Sequence, residues 1–437
     1  MNSKTVTKIH VVILATVIVV ATVAGIVLYV LWGGTAQSTE TIKIGVLADL
    51  DNVEGRLVWQ AAVLAAEHVN AEGGVLGRDI EIVSEDDDSE TSPPDPIVAS
   101  KALTKLITVD QADYIIDANP VMIPHQDICS EHKKILFSLT SIDDELTQRV
   151  LDDYEKYKYY FRGGTGNMST AISGITDTIL ALRNYTSFDK IALLYPGVSD
   201  LREAFSGISN SLLAHGFDVV YSNTFPMETE DFTSYFMAIE ASGAEILYPF
   251  IVGHSSLLFV KEWYERQSPT VVWGFITSAE KLDFWELTEG KCESVSFSGY
   301  PIISGYPLTS KTLPTREAYL ERWGEVLSIA AASTYDIVRF ILPDAIKRAG
   351  TLEVDAVIEA LEGTDVETSL AHHFVYTSSH DIMRGKNVND PEGDYMIVCK
   401  FQWQNGVQVP VYPTELMEEA GSTYTFPPWN GPWDNLD

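Results

Sequence analysis

Serine and histidine side chains could support nucleophilic or metal chemistry in this chain of 437 residues, but their spacing favours neither. The run Gly253-His-Ser-Ser-Leu lacks the last glycine of the Gly-x-Ser-x-Gly turn that exposes a nucleophilic serine. His372, His373 and His380 have no cysteine or suitably spaced acid that would complete a zinc site. The sequence also contains no Walker loop and no His-Glu-x-x-His helix. We therefore expect a protein without catalytic residues, metal or cofactor.

Three other clusters favour structural roles. Glu85-Asp86-Asp87-Asp88 offers the oxygen ligands of a hard cation, but it lacks the alternating spacing and the glycine of a calcium loop. This run is therefore interpreted as the solvated end of a strand. The glycines of Gly163-Gly-Thr-Gly-Asn-Met do not have the spacing of a dinucleotide site and indicate a loop. The aromatic run from Tyr154 to Phe161 indicates covering surface and a strand.

The charge balance excludes one class of partner. The 62 Asp and Glu residues outnumber the 29 Lys and Arg residues, which gives a formal net charge of −33. Such a surface repels phosphate backbones and anionic lipid headgroups, so nucleic-acid binding is not expected. Hydrophobic residues make up 46% of the chain, which indicates a folded protein, and its length predicts about two or three domains.

An apolar stretch without charges occupies residues 11–32. As a helix it would be roughly 33 Å long, enough to span the hydrocarbon core of a bilayer. Lys4 and Lys8 precede it and an acidic chain follows, so the positive-inside rule predicts an exported body. A cleaved signal peptide is the alternative, since Gly34-Thr-Ala could serve as a cleavage site. We predict a single-pass protein of the cell membrane with its body on the extracytoplasmic face.

The cysteines and asparagines give only weak information about this compartment. Cys129, Cys292 and Cys399 are too few for a disulfide scaffold, and their odd number leaves at least one unpaired within the chain. We expect buried apolar cysteines with at most one disulfide. Asn167-Met-Ser and Asn184-Tyr-Thr match the glycosylation sequence, which export would make relevant.

Strand and helix patterns alternate along the chain from about residue 42. Ile42-Lys-Ile-Gly-Val-Leu is typical of a strand, and Asp95-Pro96 is a helix cap followed by proline at the first helical position. The alternation repeats after Gly163-Gly164, which predicts an α/β protein with two doubly wound parallel-sheet lobes. Residues 312–362 are mostly helical and contain no third array, so they are expected to complete the two lobes.

Doubly wound sheets bind ligands in the crevice outside the carboxyl ends of their strands. Backbone N–H groups at the helix N-termini in these loops favour anionic groups of a ligand. Two such lobes that face each other across a hinge form a cleft that can close on a small solute. The loops predicted at this edge are 49–54, 119–122 and 140–142 in the first lobe, and 195–199, 252–255 and 275–278 in the second.

Several runs resemble the branched-chain amino-acid (Leu/Ile/Val) type substrate-binding proteins of ABC transporters. The most specific is Asn70-Ala-Glu-Gly-Gly-Val-Leu-Gly-Arg, and Asp113-Tyr-Ile-Ile and Phe401-Gln-Trp-Gln-Asn-Gly follow in collinear order. The resemblance covers about residues 41–429. It implies the type I periplasmic binding fold, a "Venus flytrap" of two lobes joined by a multi-strand hinge. Such a protein captures a solute without transforming it and delivers it to ABC permease subunits.

The resemblance also implies a ligand site at the strand-end loops. Thr140 and Ser141 stand in the loop that binds the amino-acid backbone in the family, and Tyr335 matches on the hinge-side helix. In the family, an acidic residue near the position of Ile276 often binds the ammonium group of the ligand. Because a buried ammonium without a carboxylate costs several kcal/mol, this difference favours a ligand other than a free α-amino acid.

Carboxylates of the first loop, from Asp49, Asp51 and Glu54, could replace that acid. The predicted ligand-binding residues are Asp51, Asn52, Asn119, Met122, Thr140, Ser141, Tyr195, His254, Thr277 and Tyr335.

The main functional hypothesis is a non-enzymatic, monomeric solute-binding protein of an ABC importer that takes a small polar or amphipathic, amino-acid-like solute. The alternatives are a ligand-sensing ectodomain of the same fold with a separate signalling partner, and an exported enzyme on this scaffold.

The predicted domains are a cytoplasmic terminus at 1–10, the anchor at 11–32, a linker at 33–40, a first lobe at 41–162 completed by 300–370, a second lobe at 163–299 completed by 371–412, and a C-terminal wrap at 413–437.

Overall fold

The computed structural model describes residues 40–88, 95–120, 122–164, 166–384, 395–396 and 398–436. The predicted membrane anchor at 11–32 lies outside these residues, so its prediction stands untested. Within the described ranges, none of the helices combines the length and apolar character that crossing a bilayer needs.

The first lobe is built on a five-stranded parallel sheet with the order β2-β1-β3-β4-β5. Its strands are β1 (Ile42–Ala48), β2 (Ile80–Asp86), β3 (Tyr114–Asp117), β4 (Ile135–Ser138) and β5 (Tyr160–Arg162). The helices between them are α1 (Val53–Ala71), α2 (Pro96–Thr108), α3 (Ile123–His132), α4 (Asp144–Asp152) and α5 (Tyr154–Tyr157).

The second lobe contains a seven-stranded mixed sheet with the order β14-β13-β10-β9-β8-β6-β7. Its strands are β6 (Lys190–Pro196), β7 (Asp218–Phe225), β8 (Ile246–Ile251), β9 (Val271–Ile276), β10 (Ser296–Gly299), β13 (Cys399–Gln404) and β14 (Val407–Tyr412). Strand β13 pairs in antiparallel fashion with both β10 and β14, and the other pairs of this sheet are parallel. Its helices are α6 (Met168–Thr186), α7 (Ser199–Ala214), α8 (Thr233–Ser242), α9 (Ser255–Glu265), α10 (Phe284–Leu287) and α16 (Thr414–Ala420).

Residues 301–375 return to the first lobe. They form α11 (Pro301–Ser304), α12 (Thr312–Trp323), α13 (Ile329–Asp336), α14 (Leu342–Ala349), α15 (Val354–Glu362) and the short strands β11 (Asp365–Val366) and β12 (Phe374–Val375). Within the described ranges, the chain therefore passes between the lobes three times: after β5, after β10 and before β13. The two lobes and their repeated crossing agree with the architecture predicted from the βα pattern.

One boundary differs from the sequence-based assignment. The sequence pattern predicts that residues 371–382 belong to the second lobe, but Phe374, Tyr376 and Ile382 lie in the core of the first. Tyr376 packs edge-on against Phe161 of β5 with ring centroids 5.0 Å apart. Strands as short as β11 and β12 carry no readable alternation, so the sequence pattern could not place this segment.

Local sequence explains why the elements begin and end where they do. The Asp95 side chain accepts a hydrogen bond from the Ile97 N–H at 2.8 Å, which caps α2 as predicted. After α1, Gly74 adopts φ +74°, and a Cβ there would lie 2.1 Å from the Arg78 carbonyl oxygen. Only glycine fits that position.

Each sheet is covered by apolar residues on both faces. In β1, Ile44 and Val46 face the cluster under α1 and α13, whereas Leu47 faces the cluster under α2 and α3. The second lobe has the same arrangement, and its C-terminal aromatic residues pack onto it; the ring of Trp429 lies 4.8 Å from that of Trp263. All three cysteines are buried and unpaired.

Strand β13 brings a lysine into the core of the second lobe. Lys400 is fully buried, and its Nζ donates to the Gly274 carbonyl and the Ser298 hydroxyl, both at 2.9 Å. The rings of Tyr248 and Trp273 lie 5.1 and 5.5 Å from Nζ. Burial holds the pKa of Lys400 well below its ordinary value, and no carboxylate of the described residues offsets this.

This burial predicts a stability that increases with pH. Between the lowered folded-state pKa and about 10.5, unfolding requires Lys400 to take up a proton, so the free energy of unfolding should rise by up to about 1.4 kcal/mol per pH unit. Lys400→Met should remove this dependence and should be neutral or stabilising at pH 7. Urea unfolding between pH 7 and 9.5 measures both effects.

The matched control is Lys190→Met, which changes an exposed lysine of the same lobe and should keep the wild-type dependence. Identical pH dependences for Lys400→Met and wild type would show that Lys400 is charged in the folded protein.

Candidate ligand-binding site between the lobes

The carboxyl ends of the parallel strands in each lobe carry the loops that were predicted to bind a ligand. In the first loop, the Asn52 side chain caps α1 by accepting from the Glu54 N–H at 3.0 Å. The Asn52 N–H donates to the Asp49 carboxylate at 3.1 Å, and Asp51 is exposed at the turn. The amide of Asn52 therefore fixes the start of α1, and Asp51 presents its carboxylate to solvent.

The loop after β3 is held by a buried polar network. Asn119 donates its N–H to Asp117 at 2.9 Å and its side-chain amide to Asp87 at 3.1 Å. Asp87 is fully buried, so the prediction that the acidic run at the end of β2 is solvated is wrong at this residue. Asp117 also contacts His125 Nδ1 at 2.7 Å; burial alone would lower the pKa of His125, but Asp117 raises it above its ordinary value. Met122 is buried in the outer core.

The loop after β4 is tied to its neighbour. Thr140 Oγ1 donates to the Ala118 carbonyl at 2.8 Å, which joins the loops after β3 and β4. Ser141 is buried, and its Oγ accepts from the Asp143 N–H at 3.4 Å. The two predicted hydroxyl groups therefore lie together in one loop at the cleft edge of the first lobe.

Arg162, at the end of β5, stabilises the loop after β4 by hydrogen bonds. Its guanidinium is fully buried and donates to the carbonyls of Ser141 and Asp143, the latter at 2.9 Å. Its Nε lies 3.0 Å from a carboxylate oxygen of Asp381, which is 4% exposed. The ion pair thus connects the ligand loop to the segment that follows β12. Sequence reasoning missed Arg162 because a charged residue at a strand end gives no sign of burial.

The second-lobe loops are linked by their own hydrogen bonds. The Gly253 N–H donates to Thr277 Oγ1 at 3.1 Å, and Ser278 Oγ donates to the Gly253 carbonyl at 2.9 Å. His254 is exposed at the start of α9. Thr277 and His254 therefore lie at adjacent strand ends, as the sequence predicted.

Two predicted residues point into the cores. Tyr195 is 9% exposed and stacks on Phe205 with centroids 4.0 Å apart, inside the second lobe. Tyr335 is 4% exposed, and its hydroxyl lies 2.7 Å from His68 Nδ1 in the first lobe. Their contact with a ligand stays a prediction, but the structure gives both side chains partners in the core.

Two carboxylates of opposite lobes, those of Glu54 and Glu280, interact electrostatically. Glu54, in the first turn of α1, accepts a hydrogen bond from Ser328 Oγ at 2.5 Å. Glu280 ends a short 3₁₀ turn, Thr277–Glu280, after β9 of the second lobe. Burial and the charge of Glu54 raise the pKa of Glu280 to about 8. Sequence reasoning considered Glu54 but missed Glu280, because it searched for the acid at Ile276, where β9 ends.

The three histidines considered for a metal site have separate environments. His372 is exposed, His373 Nδ1 lies 2.7 Å from Asp365, and buried His380 contacts Glu362 at 2.9 Å through Nε2. In the described part of the chain, no group of three or more His, Cys, Asp or Glu is arranged to hold a metal ion.

Comparison with known proteins agrees with this geometry. The family model described as "Periplasmic binding protein" matches residues 41–387. The chain belongs to the periplasmic binding protein family. The resemblance found in the sequence is thereby confirmed. Members of this family are binding proteins and not enzymes; they bind small solutes and work with ABC permeases, which favours an extracytoplasmic location.

Relatives of this periplasmic binding protein match over most of their length. The Leu/Ile/Val-binding protein homolog 7 of Brucella abortus is 21% identical over 398 residues, covering 88% of this chain and 94% of that protein. A putative branched-chain amino acid ABC transporter structure from Silicibacter pomeroyi has a TM-score of 0.78 at 18% identity, covering 90% of this chain and 100% of that one. A branched-chain amino acid transporter substrate binding protein from Streptococcus pneumoniae, in complex with isoleucine, has a TM-score of 0.65 at 19% identity, covering 86% and 100%.

The buried ion pair under the ligand loop gives a direct prediction. Arg162→Met leaves Asp381 buried without its cation and two loop carbonyls without donors. We expect the free energy of unfolding to fall by about 3–5 kcal/mol in urea denaturation at pH 7. Lys261→Met, which breaks an exposed pair with Glu289, should cost less than about 1 kcal/mol. An Arg162→Met effect no larger than that of the control would refute a structural role for the pair.

Proposed function

We propose that this chain is the solute-binding protein of an ABC importer, and that its lobes close on a small, amino-acid-like solute. The observation that supports this most directly is the pair of interacting carboxylates from opposite lobes, Glu54 in the first turn of α1 and Glu280 after β9. A solute that neutralises both charges contacts both lobes at once. These contacts are complete only in the closed conformation.

Differential affinity provides the mechanism. A solute that first binds the loops of one lobe gains contacts with the other lobe only after closure, so it shifts the hinge equilibrium towards the closed form. The three passages of chain between the lobes limit their relative motion to a hinge. The closed surface is then the form that a permease recognises.

The electrostatics of the cleft favour a cationic group on the solute. Burial and the charge of Glu54 raise the pKa of Glu280 to about 8. Without a bound cation, Glu280 is therefore protonated at lower pH. An ammonium group placed between the two carboxylates would favour ionisation of Glu280 and gain two charge-assisted hydrogen bonds. Glu280 thus supplies the acid that Ile276 does not.

Apolar side chains on the strand-end loops suit an amphipathic solute. Val252 and Ile142, in loops of opposite lobes, are both partly exposed. Among proteins of this fold, one structure contains isoleucine and a solute binding protein from R. palustris (TM-score 0.63, 16% identity, covering 85% and 96%) contains benzoate. Both are small molecules with an apolar part and a carboxylate, and we propose a solute of that size here.

The body would work on the extracytoplasmic face, held by the anchor at 11–32 or released after cleavage there. Both alternatives place the cleft where an importer collects its solute. The proposed partners are the permease subunits.

Closure can be tested with L-isoleucine as the probe. Small-angle X-ray scattering of residues 38–437 should show a smaller radius of gyration when the probe is bound. Dimensions that stay unchanged while calorimetry shows saturable binding would contradict capture by closure.

The role of Glu280 predicts a pH-dependent affinity. Below about pH 8 the probe must displace the Glu280 proton, so its affinity should increase by up to about tenfold per pH unit from pH 6 to 8 and then level off. Glu280→Gln should lower the affinity at pH 8 and abolish this dependence in isothermal titration calorimetry. Glu286→Gln, at an exposed site on α10, should behave as wild type. A wild-type affinity independent of pH would disprove the role assigned to Glu280.

A further inference from the structure

Arg384 occupies a position where the three passages between the lobes meet. It forms an isolated bridge with Met396 on the passage before β13. It also lies against Gly166 on the passage after β5, where a Cβ would come 2.5 Å from the Arg384 Nε. Tyr300, on the passage after β10, is close enough for its phenol to interact electrostatically with Arg384. The guanidinium therefore lies at the hinge.

The positive charge of Arg384 is poorly compensated by the described residues. Within them, its only hydrogen bond is to Met396 Sδ at 3.7 Å, and its buried Nε has no hydrogen-bond partner. The carboxylate that influences it, Asp381, already forms an ion pair with Arg162 at 3.0 Å. Two guanidinium groups thus share one carboxylate in a desolvated region. Such an arrangement is costly unless another anion completes it.

We propose that Arg384 binds the carboxylate of the solute and so determines specificity from the hinge. This inference rests on the proposed function and concerns the same cleft. The planar guanidinium matches a carboxylate with two parallel N–H donors, which an ammonium or hydroxyl group cannot do. The Gly166 backbone packs against the Nε side of the guanidinium, so the carboxylate would meet the two terminal nitrogens of this partly exposed side chain.

The ammonium group, at the other end of the solute, is bound by the carboxylates of Glu54 and Glu280. The phenol of Tyr300 interacts electrostatically with both Arg384 and Glu280, so both groups lie near it. A solute that satisfies both poles carries a carboxylate and an ammonium group, with its apolar part directed elsewhere in the cleft. Because Arg384 belongs to the hinge, the bound carboxylate also contributes to holding the passages in one arrangement.

The test compares three probes that differ only in their charged groups: L-isoleucine, 2-methylbutylamine and 3-methylpentanoate. Calorimetry at pH 8 on the wild type should show isoleucine binding at least tenfold more tightly than the amine. In Arg384→Gln this preference should fall to near unity while the affinity for the amine stays within about twofold. Arg384→Lys keeps the charge but lacks the planar guanidinium, so its ratio of isoleucine affinity to amine affinity should be intermediate. This variant serves as the test if Arg384→Gln does not fold. Arg348→Gln, at an exposed arginine of α14, should keep the wild-type ratio.

The outcomes separate this inference from the proposed function. Binding of isoleucine with compaction, but with the same preference in wild type and in both Arg384 variants, would overturn the role of Arg384 and leave the solute-binding proposal in place. Failure of the wild type to bind any of the three probes at millimolar concentration would overturn both. A preference that depends on Arg384 without compaction would support the carboxylate site and refute capture by closure.

Discussion

The buried contact between Arg162 and Asp381 is the interaction on which the cleft depends. One guanidinium supports two carbonyls of the loop after β4 and pairs with a carboxylate from a segment more than two hundred residues later in sequence. The loop can present Thr140 and Ser141 only if that distant segment is in place. The site is therefore a property of the assembled first lobe, and no single βα unit could form it.

Charge in this protein is organised differently at the surface and in the cleft. The surface carries a large excess of carboxylates, which keeps the molecule soluble and repels anionic polymers. The proposed binding site separates the two signs, with Glu54 at the start of α1, Glu280 after β9 and Arg384 at the hinge. Removal from water strengthens the interaction of each of these groups with an opposite charge on the solute. A binding protein gains specificity in this way, because a solute with the wrong charge leaves one pole unsatisfied.

Periodicity and capping residues were sufficient to predict the repeated βα units, the two lobes and the edge at which loops meet. Asp95-Pro96 is a good example, since the cap and the proline act within a few residues of the helix that they start. Glu280, Arg162 and Lys400 could not be predicted in their roles, because burial of a charge depends on which distant elements surround it. Likewise, Tyr195 and Tyr335 were identified by position in a loop or by resemblance, but neither criterion tells which way a ring points.

The interrupted order of the lobes has a consequence for synthesis of the chain. The first lobe needs α12 to α15 and residues up to 382, and the second needs β13, β14 and the aromatic residues near the C-terminus. During translation, the strands of each half leave the ribosome long before the segments that cover them. Neither half can reach its native core until most of the polypeptide has emerged, so the nascent chain keeps apolar surface exposed for much of its elongation.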